Sequence, residues 1–342
     1  MFPSGCEDRM RGIKIIGAGM YVPETVISND WLSTILDTND EWIYSRTGIR
    51  ERRISVDKPN FWMAEQAALA AVRDSGIDPS EIDLVLAATC SPDYYYPALS
   101  CLVQHSVGAV NAAAFDINSA CTGFINALDT ASRFLEDSDY RNILVVASER
   151  LAPHCDYTDR TASILFGDGA GAAVVTKSGK PMWSYLSAKG DYFNALYCKT
   201  DHSRSNCPLL KDSDAYPEGI IDSDAKTHTL QMNGKAVYKF AVDAMQTAVT
   251  KVLEKSGLHT EDIDLYIPHQ ANARIIESAV KGLKLPEDKV YVNLEKRGNT
   301  SSACIPTCLA ELKQAGRIKD GMKICLVGFG AGLTSGAIVF EQ

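Results

Sequence analysis

The sequence predicts an α/β protein in which one layered unit is built twice. Short apolar runs of strand length alternate with stretches whose apolar residues recur at helical spacing. The same pattern returns 181 residues later, the step from Ser75 to Ser256. Each copy also closes on a glycine-rich turn before a strand: Gly167-Asp168-Gly169-Ala170-Gly171 ahead of 172–175, and Gly328-Phe329-Gly330-Ala331-Gly332 ahead of 336–340. Alternating strands and helices in both copies argue for a layered α/β fold, with halves at 12–178 and 179–342.

Residues 1–11 are polar and short, without the features of a secretion signal or transit peptide, and read as a leader. Gly17-Ala18-Gly19 follows a strand but carries no dinucleotide site, because a third glycine is absent and Pro23 stands where a helix would have to begin. Ser75-Gly76-Ile77 marks an amphipathic helix stopped by a left-handed glycine cap. An acidic turn and the buried strand Ile82-Asp83-Leu84-Val85-Leu86 follow. Ser256-Gly257-Leu258 and Ile263-Asp264-Leu265-Tyr266-Ile267 repeat them. After a β-type segment at 112–117 comes Asn118-Ser119-Ala120-Cys121-Thr122-Gly123. Phe124, Ala127, Leu128, Ala131 and Phe134 then recur at helical spacing. The one offset carries Asn118 to Asn299, Cys121 to Ser302, and Ile143-Leu144-Val145-Val146 to Ile324-Cys325-Leu326-Val327.

The 342 residues, 46% hydrophobic and 23% charged, suffice for two core-bearing halves. A net charge of -9 without a basic run argues against nucleic acid. The longest apolar stretches are strand-length, so no membrane association is expected. Ten cysteines without a secretion signal read as reduced thiols in a cytoplasmic protein. Cys198, His202 and Cys207 have a ligand-like spacing but lack a fourth ligand in the usual pattern, so no metal is expected. Cys304 and Cys308, one helical turn apart, read as packing.

Cys121 falls at a strand-to-helix turn, where free N–H groups and the helix dipole favour a thiolate suited to covalent catalysis. Read alone it is a buried structural cysteine. His269, in Ile267-Pro268-His269-Gln270-Ala271-Asn272, ends the second copy of the Ile-Asp-Leu strand. Asn299, in Gly298-Asn299-Thr300-Ser301-Ser302, sits on the turn that the repeat sets against that of Cys121. Separately these are a core histidine and a helix cap; the repeat brings all three together. A cysteine can carry an acyl group as a thioester. A neutral histidine and an asparagine amide can both donate to one oxygen, which stabilises an enolate. Such a site favours carbon–carbon bond formation over hydrolysis.

With Thr38-Asn39-Asp40-Glu41-Trp42-Ile43, Arg46-Thr47-Gly48-Ile49-Arg50-Glu51-Arg52-Arg53 and Phe166-Gly167-Asp168-Gly169-Ala170-Gly171, the chain from 12 to 342 resembles the 3-oxoacyl-[acyl-carrier-protein] synthase III family. The resemblance implies a thiolase-like fold, a duplicated five-layer αβαβα arrangement, in a homodimer. It implies an acyltransferase that starts fatty acid synthesis by condensing a short acyl-CoA, acetyl-CoA foremost, with malonyl-acyl carrier protein. No cofactor is implied, the CoA thioester being a substrate. Cys121, His269 and Asn299 would be catalytic. Phe329 would favour decarboxylation, and the backbone N–H groups of Cys121 and of the turn containing Ala331 would form the oxyanion hole. Trp42, Arg46, Arg160 and Asn272 match CoA-contacting positions, although the arginines at 46–53 also read as a solvated basic strip. Gln270, Arg274, Lys239 and Lys281 fall where the family meets its carrier protein, and Tyr96 where it shapes the acyl pocket across the dimer. Ala331, Tyr96 and Ser335 depart from the family's commoner residues and leave primer length and branching open.

Among relatives, a degradative thiolase would want a second cysteine in the C-terminal glycine turn. A chain-elongating synthase would have a histidine at 299, and a hydroxymethylglutaryl-CoA synthase a glutamate base. A polyketide- or quinolone-forming relative keeps the triad. A non-catalytic acyl-CoA sensor is the reading from another class, and an intact triad argues against it.

Overall fold

A computed structural model describes residues 11–199 and 228–342. The loop at 199–224, with His202 and Cys207, and the leader at 1–11 lie largely outside the described residues. The first half opens with β1 (Ile13–Tyr21). Gly17 and Gly19 lie inside this strand, where an added Cβ would stand 2.2 Å and 2.3 Å from the carbonyl oxygens of Ala71 and Ala67. The glycines let a helix lie directly on the sheet. A ribbon of β2 (Thr25–Ser28) and β3 (Glu51–Ile54) flanks α1 (Asn29–Ser33) and α2 (Asp40–Thr47). Their first turns are capped by the side chains of Ser28 and Asn39. Next is α3 (Asn60–Ser75), the helix that covers β1, stopped at Gly76 with φ 72°. A capping-box turn at Pro79–Glu81 leads into β4 (Leu84–Ala88). Then follow α4 (Leu99–Val107), β5 (Ala113–Ile117), α5 (Gly123–Phe134), β6 (Asn142–Glu149), α6 (Arg160–Ser163) and β7 (Gly169–Lys177). The sheet order is β1-β7-β6-β4-β5.

The second half runs β8 (Met182–Ala188), a ribbon of β9 (Leu196–Cys198) and β10 (Leu230–Met232), and α7 (Gly234–Ser256), stopped at Gly257 with φ 68°. After another capping-box turn come β11 (Leu265–Pro268), α8 (Ala273–Leu283), α9 (Leu294–Arg297), α10 (Cys304–Gln314), β12 (Lys323–Gly330) and β13 (Thr334–Glu341). Its order β8-β13-β12-β11 repeats β1-β7-β6-β4, and a single parallel bridge between Tyr266 and Val290 stands where β5 would be. The repeat reaches individual hydrogen bonds. Asp83 Oδ2 accepts from Asn142 N at 3.1 Å, and Asp264 Oδ2 from Lys323 N at 2.8 Å.

Helices α5 and α10 form a central layer between the sheets, α3 and α4 cover one outer face, and α7 and α8 the other. This is the five-layer arrangement. Strands covered on both faces read as continuous apolar runs, and every residue of β4 is buried. Two details differ from the sequence reading. Residues 169–171 and 328–330, expected as turns, are ends of β7 and β12. They share the other expected property, close backbone approach: a Cβ on Gly171 would stand 2.7 Å from the backbone of Pro306 and Thr307.

Candidate active site

After β5 the chain reaches Ala120, a non-glycine residue at φ 43°, then a single 3-10 turn at Ala120–Thr122, and enters α5 at Gly123. Left-handed backbone at a side chain is costly and persists where the surroundings enforce it. Here Thr122 Oγ1 is held 2.9 Å from Thr334 Oγ1 of β13. The turn places Cys121, 8% exposed, against the end of β12. A Cβ on Gly330 would lie 2.8 Å from Cys121 N. The thiolate expectation is corrected: burial pushes the thiol up to about 12, with the Ser301 hydroxyl opposing it. A helix start favours the anion, but desolvation in a closed site outweighs it.

His269 follows β11 directly, its N–H held by Val327 O at 2.8 Å. The ring is buried, neither nitrogen has a protein partner, and it meets Phe329 edge-on with centroids 5.4 Å apart. Burial lowers its pKa to about 3, so the imidazole is neutral and offers one N–H and one lone pair. Asn299 is fixed by backbone bonds to Leu165 O and from Gly167 N. Its Oδ1 accepts from Ser301 N at 2.8 Å, which leaves Nδ2 as the donor end. Cys121, His269, Asn299, Phe329 and Asn272 line one cavity of about 120 Å³. On its other side Cys121 borders a more open cavity of about 370 Å³ with Leu151, Phe166, Leu196, Leu230 and Ala331. A neutral two-donor pair beside a sulfur nucleophile suits holding an enolate next to a thioester.

Residues 115–191 match the family model described as 3-Oxoacyl-[acyl-carrier-protein (ACP)] synthase III, and 253–342 the model of its C terminal part. The beta-ketoacyl-[acyl-carrier-protein] synthase III of Clostridium acetobutylicum is 46% identical over 97% of this chain and 99% of its own length. This chain belongs to the beta-ketoacyl-[acyl-carrier-protein] synthase III family. It is therefore an acyltransferase of the condensing type on the thiolase fold. The 3-oxoacyl-[acyl-carrier-protein] synthase III of Aquifex aeolicus VF5 superposes with a TM-score of 0.86 at 40% identity, covering 97% of this chain and 100% of that one. The priming beta-ketosynthase of the R1128 polyketide pathway superposes at 0.87 with 35% identity, covering 99% of each chain.

The four expected CoA positions of this synthase lie together. The Arg46 and Arg160 guanidinium carbons lie 4.3 Å and 4.6 Å from the Trp42 ring centroid. Asn272 Nδ2 donates to Arg46 O at 3.0 Å while its Oδ1 caps α8. The basic strip is not uniformly solvated. Arg52 is 1% exposed, gives hydrogen bonds to Ile27 O, Asn29 Oδ1 and Ile164 O, and is lowered to about 10 by burial, whereas Arg50 pairs with Asp40 and Glu295 at the surface.

Arg274 and Lys281 both lie on α8, bordering adjacent surface grooves, and Lys239 lies on α7 in a separate groove with Lys189 and Asp243. Gln270 is a correction. It is fully buried, spends Nε2 on Pro268 O and Tyr291 O and Oε1 on Asn293 N, and presents nothing to a carrier protein. Tyr96, 87% exposed, does not border the Cys121 cavities of this chain. Sequence reasoning missed Glu149, a fully buried carboxylate at the end of β6 that joins the Cys121 side to the Asn299 side. The available signal was its repeat partner, Gly330: a glutamate and a glycine end equivalent strands.

Proposed function

We propose that this synthase starts fatty acid synthesis by joining an acetyl group from acetyl-CoA to malonyl-acyl carrier protein. The reading rests on one observation, the convergence of Cys121, His269 and Asn299 on one cavity. Cys121 Sγ attacks the acyl-CoA carbonyl and expels CoA. The N–H groups of Cys121 and Ala331 hold the oxyanion, with Gly330 providing the close approach. Malonyl-carrier protein then loses CO2, and the electron pair of the broken C–C bond becomes an enolate held by the neutral His269 and by Asn299 Nδ2. Phe329 keeps water from the carboxylate and favours its departure. The enolate carbon attacks the Cys121 thioester and releases 3-oxoacyl-carrier protein. Decarboxylation supplies the carbanion, so the scheme needs no cofactor.

Trp42 with Arg46 and Arg160 takes the adenine end of CoA, and Arg274, Lys281 and Lys239 attract the acidic carrier protein. Two copies of the chain would pair along the edge strand β5, where Phe115 is exposed and the nearby Tyr94, Tyr95 and Tyr96 stand out. Tyr96 of the second copy would then close the larger cavity and shorten it towards acetyl. The reading places the enzyme in the cytoplasm; among the described residues no helix is long and apolar enough to cross a membrane. Mixing with acetyl-CoA should add one acetyl group to the intact mass, and Cys121→Ser should abolish it. An unmodified wild-type chain would instead favour an acyl-CoA sensor.

A further inference from the structure

The His269 ring has no hydrogen bond to aim it. Neither nitrogen has a protein partner, so the ring's direction is set by the backbone on either side and by packing against Phe329. Before it runs β11. After it comes Gln270, whose side chain is clamped at both ends. Oε1 accepts from Asn293 N at 2.9 Å, and Nε2 donates to Pro268 O at 2.7 Å and Tyr291 O at 3.3 Å. The second donor, Asn299, is tied by its backbone to Leu165 and Gly167, and it follows directly on Arg297-Gly298. Both donors therefore lean on residues 291–297.

The sheet gives that stretch little support. In the first half the segment leading to the Cys121 turn is β5, paired with β4 from Leu84 opposite Ala113 to Ala88 opposite Ile117. In the second half the pairing shrinks to the single bridge between Tyr266 and Val290. One side chain of α10 stands in for the lost ladder. Glu311 Oε1 accepts from Arg297 Nε at 3.1 Å and Nη2 at 2.8 Å, and Oε2 accepts from Asn293 Nδ2 at 2.7 Å and Tyr291 OH at 3.0 Å. The carboxylate is 15% exposed, and hydrogen bonds to an ionised acceptor are among the strong ones. One offset earlier stands Thr130, whose hydroxyl bonds back to Asn126 O within α5, so the first half has no such hub at this position.

We infer that Glu311 is a positioning residue for decarboxylation. It fixes 291–297, and through Gln270 and Arg297 it sets where His269 and Asn299 meet the enolate oxygen. The inference rests on the proposed roles of those two donors. Glu311 lines neither Cys121 cavity and acts only through its partners. Cys121 is carried by another segment, whose Thr122 is held by Thr334, so the two half-reactions should respond differently.

The test compares single-turnover acetylation by acetyl-CoA, read by intact mass, with CO2 release from malonyl-carrier protein. Glu311→Gln turns one acceptor into an NH2 group facing other donors. Acetylation should stay within about threefold of wild type, whereas kcat for decarboxylation should fall about 10²-fold, the cost of a misplacement of about 1 Å. KM for malonyl-carrier protein should hold, because the enolate contacts belong to the transition state. Equal losses in both half-reactions would make Glu311 a support of the fold and overturn the inference. Wild-type decarboxylation, or a loss confined to KM, would overturn it too. Should Glu311→Gln fail to fold, Tyr291→Phe and Arg297→Met carry the same test. Each should slow decarboxylation by about fivefold or more, the worth of one hydrogen bond, and spare acetylation; unchanged decarboxylation in both overturns the hub. Where Glu311→Gln folds, adding either variant to it should cost no more than about twofold further, and independent losses would mean that the arms do not meet at Glu311. His269→Ala separates this inference from the reading beneath it. Slow decarboxylation there beside normal decarboxylation in Glu311→Gln sinks the hub alone; normal decarboxylation in both sinks the donor assignment.

Discussion

The molecule contains the same crossing twice, and only one of the two is open for chemistry. In the active crossing, the turn bearing Cys121 meets the end of β12 at Gly330. In its twin, the turn bearing Ser302 meets the end of β6 at Glu149, with Ser302 Oγ donating at 2.6 Å. Backbone geometry is matched, φ 43° at Ala120 and 50° at Ser301. The residues are not: Cys121, Gly330 and His269 stand opposite Ser302, Glu149 and Ala88 at the one offset. The fold thus provides two strained turns at a pseudo-twofold axis, and side-chain volume decides which becomes a site. Glycine leaves donors bare at one; glutamate plugs the other and ties the halves together.

Making the active crossing resemble its twin should disable it. The largest effect is expected at the histidine. His269→Ala installs the residue of the twin and removes one of the two donors proposed to hold the enolate. Decarboxylation of malonyl-carrier protein should fall about 10²- to 10³-fold, while the acetyl adduct on Cys121 still forms. A decarboxylation rate within a factor of about three of wild type would remove His269 from the enolate site. A smaller loss is expected from Gly330→Ala, whose Cβ would stand 2.8 Å from Cys121 N and 3.2 Å from Thr122 N. Both neighbours are backbone, so the nucleophile turn has to shift, and a displacement of that order costs acylation about 10²-fold. Normal single-turnover acetylation would show that the close approach is not needed.

The repeat itself was plain in the sequence because it is written in caps, apolar runs and acidic turns, which obey local rules. Gly76 and Gly257, Asp83 and Asp264, and the strands that follow them do in the structure what the pattern implies. The triad was reachable for the same reason, as the offset placed Asn299 opposite Cys121. What stayed hidden depends on burial by distant segments. The thiol of Cys121 looked acidified because a helix start is visible in sequence, whereas the desolvation that overrides it comes from the other half of the chain. Gln270 looked available beside His269 until Tyr291 and Asn293 claimed its amide. Arg52 looked solvated until Ile27, Asn29 and Ile164 closed over it. Glu149 went unread, because its burial comes from Ser91, Ser301 and Ser302 closing on it from other segments.

The asymmetry also leaves a pH signature that Ala88 cannot produce. His269 titrates near its ordinary 6.5 in the unfolded chain, but burial lowers it to about 3 in the folded one. Between those values the unfolded state binds more protons, so stability rises with pH across the window. The folded state is fully favoured above 6.5 and loses ground as pH falls towards 3. By linkage this single group costs about 2 kcal/mol at pH 5 relative to pH 7. Other groups titrate in both the wild type and His269→Ala, so their contributions cancel in the difference. Denaturant midpoints at the two pH values should therefore converge: whatever stability gap separates the variant from wild type at pH 7 should shift by about 2 kcal/mol in favour of the variant at pH 5. A gap that does not change with pH would mean that the folded protein holds His269 protonated as readily as water does. The neutral donor on which the decarboxylation step depends would then be lost along with the contrast between the two crossings.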